Sequence, residues 1–304
     1  MRCAVAGSLP RELNSRSHLK AVLGICWALL LFFGSWFAVT QIGFSPLALP
    51  FLIAGGYGML LLGFMGHDGT HFSLHENKIV SSCLGILLTA PIFPYMVMGF
   101  TISHWNHHKH TNTNEDPDSV LFAKFKNLLT RSFLARPYSF WEYGTNTLRL
   151  AVGVPLPFKY QFPLTAKELQ GLARVNVLLS LAWGALYTWV AFHAPQAFTA
   201  LLAVYLFGTV LSGLSPYIEH TGTGVGRGVD TRTSEGWWWD FFILGNNYHV
   251  EHHLYPTVPF YNLKRVHQHL KREGYYTAEK YLSVGVWDTY RYTLKKYPYP
   301  LNAS

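Results

Sequence analysis

The stretch AVLGICWALLLFFGSWFAVTQIGFSPLALPFLIAGGYGMLLLGFMG, residues Ala21–Gly66, contains no charged side chain. A helix that crosses a bilayer needs about 20 consecutive apolar residues, so this stretch has room for two spans. We predict them at residues 21–40 and 46–65, with a short uncharged turn between them. Because the first apolar run is long and a second follows at once, it is not a cleavable signal peptide. The chain is therefore predicted to be an integral membrane protein.

The composition of the 304-residue chain agrees with a membrane protein, since 50% of its residues are apolar and 13% are charged. The net charge is +8 and the isoelectric point is about 9.3. The basic residues lie in loops beside the apolar runs, which is typical of membrane-surface charge, and no nucleic-acid partner is predicted. Cys3, Cys26 and Cys83 are scattered and odd in number, so no disulfide framework is expected.

Two further apolar runs, residues 175–192 and 197–218, predict the third and fourth spans. The tail before the first span, residues 1–20, is basic, and the positive-inside rule places it in the cytoplasm. Both turns predicted on the outer side lack Lys and Arg. Four crossings leave both termini inside, with a membrane domain over residues 21–274 and a cytoplasmic tail over residues 275–304.

Three clusters of histidines stand beside the apolar runs. Their members are His67 and His71 in GHDGTH, His104, His107 and His108 in SHWNHHKHTNTNEDPD, and His249, His252 and His253 in NNYHVEHHLYP. On a helix, residues three and four apart share a face, so the histidines of each cluster would point the same way. We therefore read the clusters as parts of one metal site.

Eight histidines exceed the three or four ligands of a zinc site and suit two metal ions. Neutral nitrogen ligands would leave those ions with a high net charge. This favours redox-active iron and the activation of dioxygen over hydrolysis.

The apolar run at residues 79–100 is long enough to cross the membrane, but a crossing would put His104 and His67 on opposite sides. Pro91 and Pro94 interrupt the run. We therefore expect a re-entrant or interfacial hairpin with both ends inside. The predicted fold class is an all-α integral membrane protein with four transmembrane helices, this hairpin and a cytoplasmic helical cap that carries the metal site.

The histidine pattern resembles that of the membrane fatty acid desaturase and hydroxylase superfamily, whose signature is the boxes H-x-x-x-(x)-H, H-x-x-H-H and (H/Q)-x-x-H-H. Order, spacing and intervening spans match over residues 20–270. The resemblance implies two iron ions held by the eight box histidines, dioxygen as co-substrate and a lipid acyl chain as substrate. It also implies an external electron donor of the ferredoxin or cytochrome b5 type. No fused cytochrome b5 domain is expected after the boxes.

Single residues near the boxes have two possible roles each. By the same resemblance His220, at the end of the fourth span, is a ninth ligand, or else a surface histidine at a helix end. Asn247 would hold a metal-bound water, as would Asn246, or either residue would cap a helix.

Carboxylates inside and after the boxes would accept the second N–H of a ligating imidazole and so fix its tautomer. Asp68 and Glu251 are the candidates within boxes, with a solvated charge as the alternative. Asp116 and Asp118 would serve the second box or cap the following helix.

Several polar residues are expected outside the ligand set. His110 lies about 160° from His108 on a helical wheel and is placed beside the ligands or at the surface. Arg232 is a candidate for a buried pair or for docking of the electron carrier. Surface or interfacial positions are expected for His75, His267 and His269, and a position on the outer side for His193.

The leading functional hypothesis is an acyl-chain desaturase. The alternative is a carotenoid hydroxylase or ketolase of the same superfamily, because HWNHHKHTNTNEDPD resembles the second box of bacterial carotenoid hydroxylases while NNYHVEHHLYPTVPFYNL resembles acyl-lipid desaturases. A histidine-rich metal transporter would place its ligands within the spans. Here the boxes follow the spans and no acidic residue lies within a predicted span, so a transporter is disfavoured.

Overall fold

The structure is a computed structural model that describes residues 9–276 and 282–294. Helices α1 (His18–Leu29) and α2 (Ser35–Ile42) form one rod, joined by a π-helical turn at Leu30–Gly34. The remaining helices are α3 (Ala48–Thr70), α4 (Lys78–Thr89), α5 (Val97–His110), α6 (Pro117–Phe122), α7 (Leu128–Phe133), α8 (Ala135–Val152), α9 (Ala166–His193), α10 (Pro195–His220), α11 (Trp237–Ile243), α12 (His249–Leu254), α13 (Phe260–Arg272) and α14 (Gly285–Leu294). Strands β1 (Thr233–Glu235) and β2 (Leu282–Val284) pair in parallel.

Four helical segments among the described residues are long and apolar enough to cross a membrane: Arg11–Ile42, Pro46–Thr70, Ala166–His193 and Pro195–His220. Their outer faces expose large apolar side chains, for example Leu178 at 66% and Phe192 at 81%. Such surface is costly in water and suits lipid. The prediction of an all-α membrane protein with four spans is therefore confirmed.

Glycines let α3 pack tightly between α10 and the α1–α2 rod. A Cβ atom added at Gly56 would lie 2.6 Å from the backbone nitrogen of Gly208 in α10. At Gly58 it would meet the backbone of Phe32 in the π-helical turn. Small residues at these positions allow the close helix contacts typical of membrane bundles.

The run at residues 79–100 forms α4, a turn and the start of α5 rather than one long helix. At 1.5 Å per residue the 12 residues of α4 and 14 of α5 extend about 18 and 21 Å, short of a 30 Å hydrocarbon core. This matches the expected hairpin. As a result, α5 returns its histidines to the end of the bundle where α3 stops.

Pro216 shapes the fourth span near the site. It has no N–H, so the carbonyl of Ser212 loses its partner within α10. The guanidinium of Arg136 donates to that carbonyl, with Nε at 3.1 Å and Nη2 closer still. This contact ties α8 to α10 beside the histidines.

Beyond the fourth span the chain forms a cap on the end of the bundle that carries the histidines. Helices α12 and α13 share a small apolar core that includes Val250, Leu263 and Val266. Residues 282–294 lie in the segment expected to be a cytoplasmic tail, and there β2 pairs with β1 while α14 contacts α10 and α11.

Candidate metal centre

Nine histidines meet where four helices end. They are His67 and His71 at the end of α3, His104, His107 and His108 on α5, His220 at the last position of α10, and His249, His252 and His253 on α12. All nine are buried or nearly so. The helical spacing of α5 and α12 places the members of each box on one face, as the sequence predicted.

Five of these side chains form a first group, which we name the imidazole group: His67, His71, His104, His108 and His252. One nitrogen of each lies within 4.8 Å of the others. The Nε2 atoms of His67 and His104 are 2.9 Å apart, and that of His108 is 3.0 Å from those of His104 and His252.

The remaining histidines and one acid form a second group, the mixed group: His107, His220, His249, His253 and Glu219. Ligand atoms of His107, His220 and His253 lie within 4.8 Å of one another, and so do those of Glu219, His220 and His249. The Nε2 atoms of His220 and His249 are 3.3 Å apart. The two groups are adjacent, since the rings of His108 and His253 have centroids 4.2 Å apart.

Outer partners orient the imidazoles of the mixed group. Nδ1 of His107 donates to the fully buried carboxylate of Asp116 at 2.8 Å, and Nδ1 of His220 donates to the Asp230 carbonyl at 3.1 Å. A ring that donates from Nδ1 presents the lone pair of Nε2 to the centre. Other carboxylates stand further off, Asp118 at 3.5 Å from His104 and Asp68 at 3.6 Å from His67.

Burial keeps most of these rings neutral. It lowers the pKa of His71 well below the usual histidine value, and neighbouring imidazoles such as His108 lower it further. The same causes lower the pKa of His104, His108, His249, His252 and His253. For His107, burial acts downward, but the Asp116 carboxylate outweighs it and raises the pKa to about 9. Neutral imidazole is the form that binds a metal, so a metal ion at His107 would have to displace the proton that Asp116 favours.

The donor set fits metal ions. Both ring nitrogens of His71 are buried and have no hydrogen-bond partner in the described residues. An unpaired buried polar atom is costly, so a ligand role accounts for one of the two nitrogens. Imidazole nitrogens bind zinc, for instance, at about 2.0–2.1 Å, and two such nitrogens at right angles are then about 3 Å apart, close to the observed spacings. Two adjacent groups accommodate two ions.

Glu251 and His267 differ from their expected roles. The Glu251 carboxylate is buried but faces no ligating histidine; it accepts from His267 Nδ1 at 2.5 Å, from Thr233 Oγ1 at 2.6 Å and from Tyr276. His267 is 1% exposed, so its expected surface position is wrong. It follows Leu263 by four residues on amphipathic α13, and that spacing could have indicated burial.

Other candidates lie outside the two groups. The Asn247 amide donates to the Ser234 carbonyl at 2.8 Å and to Asp240 at 3.2 Å. Arg232 is 1% exposed and donates to Ser283, which favours the buried role over docking. His110 pairs with Glu115 at 3.1 Å. His193 is exposed at the far end of α9.

An apolar cavity leads to both groups. Its walls include Met59, Phe64, Ile92, Phe100 and Phe140, and it reaches histidines of each group. Three charged side chains, Asp118, Arg136 and Glu219, also line it. The arrangement can hold a long apolar molecule with part of its length beside the metal ligands.

The chain is thus a helical membrane protein whose buried histidines converge at the end of an apolar cavity, in groups compatible with bound metal ions. The family model described as fatty acid desaturase matches residues 43–284, so the chain belongs to the fatty acid desaturase family. The resemblance seen in the boxes is thus confirmed, and with it an oxidoreductase at the level of the family.

Curated relatives are desaturases and conjugases. A fatty acid conjugase of Calendula officinalis is 27% identical, over 72% of this chain and 66% of its own length. A chloroplastic omega-6 fatty acid desaturase of Glycine max is 24% identical, over 90% of this chain and 68% of its own. An sn-1 acyl-lipid omega-3 desaturase (ferredoxin) of Nostoc sp. (strain 36) is 22% identical, over 88% and 78%. The chain therefore spans about two thirds of the length of the first relatives.

Proposed function

We propose that this protein is a dioxygen-dependent acyl desaturase that uses two iron ions to introduce a C=C bond into a lipid acyl chain. The observation that carries the proposal is the meeting of an apolar cavity with the inward-facing Nε2 atoms of both histidine groups. Membership of the fatty acid desaturase family supports it.

Each of the two histidine groups would bind one iron. The imidazole group would hold one iron, and His107, His220, His249 and His253 would hold the other. Bound iron would supply, with dioxygen, the oxidising power to remove hydrogen from an unactivated methylene, which no side chain has. Overall, dioxygen takes two hydrogen atoms from the acyl chain, two electrons from the carrier and two protons from solvent, and yields two waters.

The protein's own contribution is orientation and exclusion of water. The apolar walls around Phe100 and Phe140 would seat the acyl chain so that one pair of carbons lies beside the metal ligands. Asp116 and the Asp230 carbonyl hold the tautomers of His107 and His220, which keeps the ligand nitrogens in place.

The same proposal includes sidedness and an electron donor. Arg11, Arg16 and Lys20 lie at the end of the first span that adjoins the metal centre, since Arg16 donates to the Phe72 carbonyl at 2.8 Å. The turns at the other end lack Lys and Arg, and by the positive-inside rule this charge difference supports a cytoplasmic centre. An external carrier of ferredoxin or cytochrome b5 type would deliver electrons there, and the name of the Nostoc relative includes ferredoxin.

Expression in a heterologous host tests the function. We expect new unsaturated acyl chains in the host lipids, measured by gas chromatography and mass spectrometry, and about two irons per purified chain. A parallel host with a carotenoid pathway tests the alternative. Hydroxylated or oxidised carotenoids without new acyl double bonds would overturn the proposal in favour of a carotenoid hydroxylase or ketolase.

A further inference from the structure

Glu219 stands among the histidines although no box contains it. It precedes His220 at the end of α10, and its Oε2 lies 3.6 Å from Nε2 of His249. Its other oxygen, Oε1, accepts from Ser215 Oγ at 2.9 Å. The side chain is 16% exposed and lines the apolar cavity. One oxygen is thus held in place by α10 while the second faces the imidazole nitrogens.

An ionised carboxylate in an apolar cavity is costly unless a cation or several donors compensate it. In residues 9–276 and 282–294 no Lys or Arg nitrogen comes within 4.0 Å of the Glu219 carboxylate, and the His249 ring, 3.6 Å away, is kept neutral by burial. Arg136 lines the same cavity, but its guanidinium donates to the Ser212 carbonyl. Among the described residues the Ser215 hydroxyl donates to this carboxylate and Arg136 acts on its charge only from further away, so a bound cation would complete its partners.

The two groups also differ in their number of imidazoles. The imidazole group has five nitrogens, whereas the mixed group has four. Asn247, considered from the sequence as a residue near the metal, directs its amide to Ser234 and Asp240. Glu219 supplies a fifth donor in the mixed group, and carboxylate oxygen binds first-row metals alongside imidazole.

We propose that Glu219 Oε2 is a ligand of the metal ion in the mixed group, which makes that site one of four imidazoles and one carboxylate. This inference rests on the proposed iron centre. Its consequence is that the two irons differ in ligand charge, because one has neutral ligands and the other has an anionic one.

The test compares purified wild-type protein with Glu219→Gln, which keeps the size of the side chain and removes its charge. Both are loaded anaerobically with isotopically enriched ferrous iron, and iron per chain and Mössbauer spectra are measured. We expect wild type to bind two irons with two distinct quadrupole doublets. Glu219→Gln should bind the mixed-group iron more than about 100-fold less tightly. This loss is larger than the one that follows removal of a residue that only hydrogen-bonds a metal ligand. The doublet of the imidazole group should persist and shows that the variant is folded.

Asp118→Asn is the matched control, because Asp118 lines the same cavity but its carboxylate faces His104 of the imidazole group at 3.5 Å. It should change the doublet of the mixed group much less than Glu219→Gln does. An equal change of that doublet in both variants would mean general electrostatics and would overturn the assignment.

Each remaining outcome of this experiment supports or overturns one of the two proposals. If Glu219→Gln binds two irons with wild-type affinity and spectrum, Glu219 is not a ligand, while the proposed function stands. If wild type itself binds no iron, both proposals fail. If Glu219→Gln binds no iron at all, the variant Glu219→Asp is measured instead. A shortened carboxylate ligand must shift the doublet of the mixed group. An unshifted doublet in Glu219→Asp would overturn the assignment of Glu219 as a ligand.

Discussion

The two halves of the metal centre are built differently. The imidazole group has five histidines, and its outer carboxylates stand 3.5 and 3.6 Å from the rings of His104 and His67. The mixed group has four, with Asp116 at 2.8 Å from His107 and the Asp230 carbonyl at 3.1 Å from His220. The imidazole group thus has more candidate nitrogen ligands. The mixed group has fewer, but close hydrogen-bond acceptors orient its rings and it carries more negative charge.

The largest expected effect comes from the ring that touches both halves. His108 Nε2 is 3.0 Å from the Nε2 atoms of His104 and His252, and its ring centroid is 4.2 Å from that of His253 in the mixed group. His108→Ala should abolish iron binding at both positions and lower the amount of product by more than about 100-fold. Removing a residue that only hydrogen-bonds a metal ligand costs less than this. Iron analysis and lipid analysis measure this.

His110→Ala is the matched control, two residues along the same helix but paired with Glu115. It should retain both irons and full product. Wild-type iron and product in His108→Ala would refute the assignment of the site.

An intermediate effect is expected at Asp116. In Asp116→Asn the amide can still cap α6, but an N–H can face His107 Nδ1 and disturb the tautomer that presents Nε2. The affinity for the mixed-group iron should fall about 10–100-fold, with the other iron little changed. Titration with ferrous iron measures both. Glu115→Gln, next in the chain and exposed, should titrate like wild type; equal losses at both irons would contradict the division into two groups.

The smallest effect is expected at Asp68. Its Oδ1 is 3.6 Å from His67, and its Oδ2 accepts from the Phe260 backbone nitrogen at 3.1 Å, a bond that Asn can keep. Asp68→Asn should lower iron affinity by less than about 10-fold and the free energy of unfolding by about 1 kcal/mol. Thermal unfolding in detergent and iron titration measure these. A loss of iron affinity as large as that of Asp116→Asn would contradict the difference described between the two groups.

Local patterns were sufficient for most of the fold. Apolar runs of helical length identified the four spans, and the prolines at 91 and 94 indicated a hairpin between α4 and α5. The i, i+3, i+4 spacing placed His104, His107 and His108 on one helix face because helical periodicity needs no distant partner.

Other features depend on contacts between distant segments. The pairing of β1 with β2 joins residues almost fifty positions apart, and three-residue strands carry little sequence signal. His267 is buried, where its Nδ1 forms a hydrogen bond to the Glu251 carboxylate of α12. Glu219 is a plain acid in the sequence, and its position beside His249 arises only when α10 and α12 meet.

The amino-acid sequence by itself determined that this chain crosses a membrane and carries three helical histidine boxes, since hydropathy and spacing act over a few turns. The tertiary structure alone decided which histidines share a group, which acids orient them, and that the apolar cavity ends at both groups. Those properties require side chains far apart in the chain to approach within a few ångströms, and only the packing of the helices brings them there.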